Sequence, residues 1–195
     1  EAAALAGAEL MLTLNASPFH MNKQMRRYGV LGDRVAATGK PAIYANLVGG
    51  QDELVFDGAS FALDGQGRLT HQSPAFVEDL AIIDYADGQL LPGRIAEAPT
   101  AEAEVYSALK LGVADYLGKN GFPGAIIGLS GGIDSALTLA IAVDALGADK
   151  VRCVMMPSPW TAQMSLDDSR QMVRRLGVQY DEIPIAAAME QFAVL

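Results

Sequence analysis

The stretch Gly124-Ala-Ile-Ile-Gly-Leu-Ser-Gly-Gly-Ile-Asp-Ser-Ala136 decides the fold of this chain. It predicts a strand, a tight glycine turn and a helix in direct succession. Ala125–Ile127 is a short apolar run of the kind found in a parallel sheet that is covered on both faces. Ser130-Gly-Gly132 then lets the backbone turn sharply, because glycine has no Cβ. The free amide N–H groups of such a turn, with the positive end of the next helix, form a binding site for anions and above all for phosphate.

The residues around the two glycines narrow the kind of phosphate site. The Walker pattern requires Gly-x-x-x-x-Gly-Lys-Ser/Thr, and this stretch has no lysine. A site without that lysine suits the pyrophosphate of an ATP that is cleaved between its α and β phosphates. Ser130-Gly-Gly-Ile-Asp-Ser135 resembles the signature loop of the ATP pyrophosphatase (PP-loop) family. Its members adenylate a carbonyl oxygen and then displace AMP with a nitrogen or sulfur nucleophile. The alternative is an ordinary strand–turn–helix corner, where glycine pairs are common.

The composition is typical of a folded α/β protein. With 51% hydrophobic and 19% charged residues among 195, the chain can form one or two domains with a substantial core. The net charge of −9 argues against a nucleic-acid-binding surface, which needs a basic stripe. No apolar run is long enough for a membrane span, and no signal peptide is visible. The single cysteine rules out an internal disulfide and fits a reducing cytoplasm, which is the predicted location.

The second half of the chain alternates strands and helices. The helix Ser135–Leu146 is apolar nearly all round and is expected to be buried between layers. Val151–Met156 and Gln179–Ile185 are the following strands, and a capping box at Ser165–Asp168 opens the helix between them. The order β-α-β-α-β implies right-handed crossovers and a doubly wound parallel sheet. Ligands of such sheets bind at the carboxyl ends of the strands, where the glycine turn lies.

The first half mixes α/β units with antiparallel strands. The turn Asp64–Gly67 between two short strands is a hairpin signal. A shift to Gly, Pro and small residues after Ala86 indicates a domain boundary, and Thr100 is the predicted N-cap of the next helix. The predicted domains are therefore 1–86, a linker 87–100, and 101–195, with both ends expected to be cut from something longer. The other predicted elements of this half are a strand at Glu9–Asn15, a helix at Asn22–Ala37, and strands at Ala42–Val48, Ser60–Leu63, Arg68–Gln72 and Phe76–Tyr85.

Further motifs in the second half resemble NAD synthetase. They are Val154-Met-Met-Pro-Ser158, Ser165-Leu-Asp-Asp168, Leu176-Gly-Val178 and Ile183-Pro-Ile185. The family's sequence after the second strand is closer to Pro-Ser-Arg-Tyr-Thr-Ser. Pro159, Trp160 and Ala162 differ from that motif, so we assign these side chains no function. The resemblance implies a PP-loop domain of the adenine nucleotide α-hydrolase-like class.

The first half independently resembles the nitrilase-type glutaminase domain. The matching motifs are Leu14-Asn-Ala-Ser-Pro-Phe-His20, Lys23 and Gly49-Gly-Gln-Asp-Glu-Leu-Val-Phe-Asp-Gly58, followed by Ser60. This domain, an α/β sandwich, precedes the synthetase domain in glutamine-dependent NAD synthetases. The two resemblances occur in the expected order and together cover nearly the whole chain. They imply the C-terminal part of one domain followed by the N-terminal part of the other.

The resemblance implies a set of nucleotide-binding residues around the glycine turn. In that reading, Asp134 also binds Mg²⁺, which offsets phosphate charge. The alternative for Asp134 is a helix-start carboxylate that interacts with the helix dipole, and for Met156 it is core packing. The implied ATP-binding residues are Gly128, Leu129, Ser130, Gly131, Gly132, Ile133, Asp134, Ser135 and Met156.

On the glutaminase side the resemblance implies that Ser17 and Lys23 contact glutamine. A hydroxyl can bond the polar groups of the amino acid, and an ammonium can pair with its α-carboxylate. Lys23 could instead be a solvated residue on the first helical turn, and Glu53 is another candidate near this pocket. The family hydrolyses glutamine with a Cys–Glu–Lys triad, and no member of that triad is identified in this chain. Cys153 is expected to be a small buried residue in mid-strand.

The implied reaction is the ATP-dependent amidation of deamido-NAD to NAD through an adenylate, with ammonia from glutamine. The expected partners are these small molecules and further copies of the chain, as a homo-oligomer, without nucleic acid or membrane. Another PP-loop amidotransferase, of the GMP or asparagine synthetase type, is the rival enzyme. A catalytically inert ATP-binding fragment is the rival that is not an enzyme.

Overall fold

The computed structural model describes residues 2–193 of the 195. Cα packing divides the chain into two compact units, one up to Gly112 and one from Val113 onward. The outer limits of the predicted domains, residues 1 and 195, lie outside the described residues. The inner limits, 1–86 and 101–195 with a linker at 87–100, stay a prediction.

The first unit contains a four-stranded mixed sheet in the order β1-β2-β5-β6. β1 and β2 are parallel, whereas β2 pairs with β5 and β5 with β6 in antiparallel fashion. Two antiparallel hairpins, β3-β4 and β7-β8, lie outside this sheet. The elements are α1 (Ala2–Leu5), β1 (Met11–Asn15), α2 (Lys23–Thr38), β2 (Ala42–Asn46), β3 (Val48–Gln51), β4 (Leu54–Asp57), β5 (Phe61–Leu63), β6 (Leu69–Gln72), β7 (Tyr85–Ala86), β8 (Gln89–Leu90) and α3 (Ala101–Lys119), which crosses the division.

Helix α2 packs on the sheet and forms the core of the first unit. Leu31 and Val35, one turn apart on the same face of α2, meet Phe61 on β5. Tyr28 contacts the ring of Phe61 edge-on, with the ring centroids 4.7 Å apart. Burial of such a side chain contributes about 1.5–3 kcal/mol, so this face of α2 holds the helix on the sheet. Asn22 occupies the predicted N-cap position, but its side chain makes no capping hydrogen bond.

The predicted hairpin between β5 and β6 is confirmed, and Asp64 organises its turn. The Asp64 carboxylate accepts hydrogen bonds from the backbone N–H groups of Gln66 and Arg68, both at 2.9 Å. Burial by itself raises the pKa of Asp64, but the hydrogen bonds and the Arg68 guanidinium outweigh it and lower the pKa overall. The carboxylate is therefore ionised at neutral pH and fixes the turn.

The predicted strand at Phe76–Tyr85 is wrong. Only its end, in β7, is extended and paired among the described residues, and Leu80 and Ile82 are 93% and 85% exposed. The reason is competition for an edge of the sheet. The backbone of Gln72 pairs with the segment 94–96 instead, through bonds of 2.9 Å to Arg94 and Ala96. β-propensity without a free edge to pair with does not produce a strand.

The second unit has a three-stranded, fully parallel sheet in the order β11-β10-β9. Successive strands add to the same side through helical crossovers, as in one half of a doubly wound sheet. The predicted α/β class is confirmed. The elements are β9 (Ala125–Gly128), α4 (Ile133–Leu146), a 3₁₀ turn (Ala148–Lys150), β10 (Val151–Met155), α5 (Gln163–Leu176), β11 (Gln179–Glu182) and α6 (Ala186–Ala193).

Helices α4 and α5 cover one face of this sheet. Leu139 and Val173, one from each helix, pack on Cys153 in a common core. On the opposite face Ile126 is 75% exposed, and on α4 Leu137 is 52% exposed. The expectations of a sheet covered on both faces and of an α4 buried between layers are therefore wrong for residues 2–193. An all-round apolar pattern predicts contact on both sides, and the described residues supply it on one.

The start of α5 also differs from the sequence prediction. The helix begins at Gln163, with Ala162 at the N-cap position, so the apparent capping box at Ser165–Asp168 lies inside it. At the other end Gly177 adopts φ 69° and its N–H bonds to Val173 O at 2.9 Å. This left-handed stop is the glycine C-cap that the sequence indicates.

Candidate functional site

The glycine turn after β9 is held close to helix α5. Gly131 has φ +80°, in the left-handed region that favours glycine. A β-carbon on Gly131 would lie 2.6 Å from Cα of Ser165. The backbone at Gly131 therefore approaches α5 as closely as it does because residue 131 has no side chain.

Two hydroxyl groups lock the turn from within. The Ser135 hydroxyl donates to Gly132 O at 3.0 Å and accepts from the Ser130 N–H at 3.2 Å. The Ser130 and Ser135 Oγ atoms are 3.1 Å apart, and Ser130 Oγ also accepts from the Gly132 N–H at 3.3 Å. The sequence prediction treats all amides of the turn as free. In the structure the hydroxyls occupy those of Ser130 and Gly132.

The free donors come instead from the first turn of α4. The Ala136 N–H bonds to Gly132 O at 3.1 Å, which is the first bond of the helix. The amides of Ile133, Asp134 and Ser135 thus have no intrahelical partner and point out of the positive end of the helix dipole. Three adjacent N–H donors at a helix start, beside a glycine turn, can bind the oxygens of a phosphate group.

Asp134 is the acidic residue of this helix start. Its side chain is exposed, and no ion pair is formed by it in the described part of the chain. Residues 2–193 contain no cluster of three or more His, Cys, Asp or Glu side chains that could hold a metal ion. A single carboxylate fits Mg²⁺ nevertheless, because Mg²⁺ is commonly bound by one or two carboxylates together with phosphate oxygens and water.

The ends of the three parallel strands meet beside the turn. The Leu129 N–H bonds to Val154 O at 2.9 Å, and the Ile183 N–H bonds to Met155 O at 2.8 Å. Leu129 is buried at 3% exposure, so it can reach a ligand through its backbone only. Met156, just past the end of β10, is 54% exposed. Its exposure disagrees with core packing and leaves the side chain accessible at the carboxyl edge.

A small cavity lies between the turn and α5. Its volume is about 180 Å³, and it is lined by Gly131, Ser169 and Arg175 among others. The Ser169 side chain is 1% exposed, and its hydroxyl has no hydrogen-bond partner in the part of the chain that the structure describes. An unpaired buried hydroxyl costs free energy, and the cavity is large enough to hold a water that bonds to it. The sequence gives no signal for this cavity.

Ser17, the predicted glutamine contact, is fixed by two neighbouring side chains. Its N–H donates to Asn46 Oδ1 at 2.9 Å, and its carbonyl accepts from Arg27 Nη2 at 2.8 Å. The Arg27 Nε also donates to Ser17 Oγ at 3.3 Å. The loop after β1 is therefore held in one position, with the Ser17 side chain partly buried.

The arginine that holds Ser17 belongs to a buried ion pair that the sequence analysis missed. Arg27 Nη1 and Nη2 donate to the two oxygens of Asp57 at 2.6 and 2.7 Å, and the two residues are 4% and 5% exposed. This bidentate geometry is the strong form of the pair. The sequence does contain one indication of it. Arg27, Leu31 and Val35 follow one another at spacings of four, which places Arg27 on the buried face of α2.

The side chains of Lys23, Glu53 and Cys153 form no hydrogen bond or ion pair with these groups within residues 2–193. Lys23 is the first residue of α2 and is half-buried, with no ion pair formed within residues 2–193. Glu53 is exposed in the β3-β4 turn. Cys153 is fully buried in β10, and burial raises the pKa of its thiol, so it is a packing residue rather than a nucleophile.

A parallel sheet whose first strand passes through a glycine turn into a helix defines an α/β domain with a loop whose geometry suits phosphate. Comparison with known proteins narrows this class. Residues 105–194 match the family model described as NAD synthase. The glutamine-dependent NAD(+) synthetase of Rhodobacter capsulatus is 48% identical over 188 residues, which is 94% of this chain and 34% of that protein. The Synechocystis protein of the same name is 42% identical over 189 residues.

Solved structures agree with the sequence comparison. The glutamine-dependent NAD+ synthetase from Acinetobacter baumannii, in complex with adenosine diphosphate, superposes with a TM-score of 0.93 and 40% identity, covering 98% of this chain and 37% of that one. A glutamine-dependent NAD(+) synthetase from Cytophaga hutchinsonii, at 19% identity and a TM-score of 0.82, shares the fold. Residues 105–194 thus match the family model described as NAD synthase, and nearly the whole chain is similar to a segment of the glutamine-dependent NAD(+) synthetases. It spans 34% of the length of the first curated relatives that it matches.

No helix among residues 2–193 is long and apolar enough to cross a bilayer.

Proposed function

We propose that this chain takes part in the ATP-dependent amidation of deamido-NAD to NAD, with ammonia from glutamine as the nitrogen donor. One observation carries the proposal. The unpaired amides at the start of α4 lie beside the glycine turn and Asp134, at the carboxyl edge of a parallel sheet. That arrangement suits a nucleoside triphosphate. The similarity to glutamine-dependent NAD(+) synthetases suggests the reaction in which this triphosphate is used.

The loop would bind the phosphates of ATP. The amides of Ile133, Asp134 and Ser135 supply donors, and the Ser130 and Ser135 hydroxyls can turn from each other to a phosphate oxygen. The complex of the Acinetobacter baumannii relative with adenosine diphosphate supports an adenine nucleotide as the ligand. The proposed contacts are Gly128, Leu129, Ser130, Gly131, Gly132, Ile133, Asp134, Ser135 and Met156.

Asp134 would hold Mg²⁺ next to the phosphates. The bound ion would offset phosphate charge during the loss of pyrophosphate. The exposed carboxylate and the three adjacent amides then have complementary tasks. The carboxylate orients the cation, and the amides orient the phosphate oxygens.

The chemistry follows from the position of ATP cleavage. The nicotinic-acid carboxylate of deamido-NAD attacks the α-phosphorus, the bond to the β-phosphate oxygen breaks, and pyrophosphate leaves. Ammonia then attacks the acyl carbon, the C–N bond forms and AMP leaves. Donors fixed before the reaction stabilise charge as it develops on the leaving phosphates, which is the role we give the α4 amides.

In the first unit, Ser17 and Lys23 are the proposed contacts to glutamine. Arg27 and Asn46 hold Ser17 in place, which supports a positioning site rather than a mobile loop. We assign no residue of this chain to the bond cleavage itself. We further propose that the protein works as a homo-oligomer in the cytoplasm.

A substrate comparison tests the proposed function. The full-length protein is given ATP, Mg²⁺ and ammonia with deamido-NAD, xanthylate or aspartate, and amide formation is measured by mass spectrometry. We expect NAD from deamido-NAD alone. Product from xanthylate or aspartate alone would place the protein with the GMP or asparagine synthetases instead. ATP binding without product from any substrate would favour an ATP-binding role without catalysis.

A further inference from the structure

The first unit contains a cavity that has no role in the proposed function. Its volume is about 540 Å³, within the range of small-molecule sites. It lies between the start of α2, the end of β6 and the first turn of α3. The lining includes Met25, Tyr28, Leu69, Ile95 and Pro99.

The walls of this cavity are mostly apolar, and part of its rim is left in water. Met25 and Ile95 are 70% and 55% exposed. The ring of Tyr28 is fixed edge-on against Phe61 and adds an aromatic surface. Apolar side chains at the mouth of a cavity favour a ligand with an apolar body, because it removes their surface from water.

The polar groups on the cavity floor are already satisfied. Both oxygens of Asp57 accept from Arg27, as described above. The Gln72 Nε2 donates to Ala59 O at 3.0 Å, and its Oε1 accepts from the Tyr28 hydroxyl. Gln24 donates to Ala59 O at 3.1 Å and accepts from Arg27 at 3.0 Å. Each of these side chains is therefore already engaged by other groups of the protein.

Glu104, in the first turn of α3, differs from them. Its side chain is half-buried, and its carboxylate has no hydrogen-bond or ion-pair partner among residues 2–193. Burial, followed by the charge of Asp57, raises the pKa of Glu104, and Arg27 offsets this only in part. The charged residues that line the cavity, Asp57, Glu97 and Glu104, are all acidic.

We infer that this cavity binds a small organic monocation, with the apolar body against Met25 and Ile95 and the cationic group on Glu104. The charge of the lining disfavours anions, and Glu104 is the more buried of the two lining carboxylates, Glu97 and Glu104, that form no ion pair among residues 2–193. A neutral apolar molecule would leave Glu104 uncompensated. The aromatic face of Tyr28 also suits a cation. The inference does not rest on the proposed function, since neither Ser17 nor Lys23 lines the cavity.

The test uses three probes of one shape and different charge. Benzylammonium, benzyl alcohol and phenylacetate are titrated into the full chain at pH 7 and followed by calorimetry. We expect benzylammonium to bind about tenfold more tightly than the alcohol, and phenylacetate not to bind, in line with a charge-assisted contact.

Two variants assign the effect to one carboxylate. Glu104→Gln should abolish the preference for benzylammonium while leaving the alcohol unchanged. Glu102→Gln, in the same helical turn but outside the cavity lining, should keep the preference. Equal binding of the ammonium and the alcohol, no binding of benzylammonium, or an unchanged preference in Glu104→Gln would each overturn the inference. Unchanged thermal unfolding of both variants confirms that the comparison concerns folded protein.

Discussion

Gly131 in the turn after β9 and Ser165 in α5 approach each other so closely that a β-carbon on Gly131 would lie 2.6 Å from Cα of Ser165. The contact is between two stretches of backbone, so no rotation of a side chain can relieve it. The neighbouring Gly132 has open surroundings, where the nearest atom to an added β-carbon would be Ser130 Oγ at 3.5 Å. The two glycines of the loop therefore have different reasons to be glycine.

This difference predicts different effects of alanine at the two positions. Gly131→Ala should lower the free energy of unfolding by about 2–4 kcal/mol, because left-handed strain adds to overpacking. Gly132 has φ −90° and room for a β-carbon. Gly132→Ala should therefore change the free energy of unfolding by less than about 1 kcal/mol. Urea unfolding of both variants measures this. Equal losses would mean that the approach to Ser165 does not constrain the loop.

The hydroxyl of Ser135 should matter for ATP through the shape of the loop. It bonds to the Gly132 carbonyl and to both the N–H and hydroxyl of Ser130. We expect Ser135→Ala to weaken ATP binding about tenfold, which is the loss of about 1.4 kcal/mol. Thr138→Ala, which removes an exposed hydroxyl bonded to Asp134 O one turn later, is the control and should stay within about twofold of the parent. Calorimetric titration compares them, and an unchanged affinity in Ser135→Ala would contradict the role given to this hydroxyl.

The buried pair of Arg27 and Asp57 should dominate the stability of the first unit. Asp57→Asn leaves the Arg27 charge buried without its partner, so we expect a loss of about 3–5 kcal/mol. The exposed pair of Arg152 and Asp181 has a similar separation of 2.5 Å, but water screens it. Asp181→Asn should therefore lower the free energy of unfolding far less than Asp57→Asn does. Denaturant unfolding of the two variants checks the contrast, and a loss of less than 1 kcal/mol in Asp57→Asn would refute it.

We expect the protein to lose stability at alkaline pH because Tyr180 on β11 ionises less readily in the folded state than in the unfolded state. Burial, helped by the nearby Glu182 carboxylate, raises the pKa of Tyr180 to about 12. The folded-state pKa lies above the unfolded value of about 10. The stability that the neutral phenol contributes is therefore fully present below pH 10 and is lost as the pH rises towards 12. Between pH 9 and 11 the parent should lose about 1 kcal/mol more than Tyr180→Phe. Parallel pH dependences of unfolding in the two proteins would show that the phenol is not held neutral.

The sequence predicted the parts of this fold that depend on local pattern. The glycine turn, the β5-β6 hairpin and the parallel order of the second unit each follow from spacing within a few dozen residues. The pair of Arg27 and Asp57 joins residues 30 apart in sequence, and no local pattern shows which acid meets the arginine. The segment Phe76–Tyr85 has strand propensity, but residues 94–96 occupy the edge it would need. Competition between distant segments is decided by packing.

In the candidate site, too, the sequence predicts some features and not others. The motif predicted a phosphate-binding turn at Ser130 to Ser135, and the structure has a glycine turn there. The motif did not indicate that the two serines bond to each other and occupy two of the amides, which leaves the first turn of α4 as the source of free donors. It also gave no indication of the buried Ser169 hydroxyl beneath the turn. Both features depend on side-chain rotamers and on the position of α5, which sequence spacing does not determine.

The position at which ATP is cleaved tests the central claim most directly. The full-length protein is incubated with ATP, Mg²⁺, ammonia and deamido-NAD, and the phosphorus products are identified by ³¹P NMR. The account predicts AMP and pyrophosphate in equal amounts, formed together with NAD, and their loss in Gly131→Ala. ADP and inorganic phosphate would contradict it, because they would mean that the glycine turn presents the γ-phosphate, and not the α-phosphate, to the attacking group.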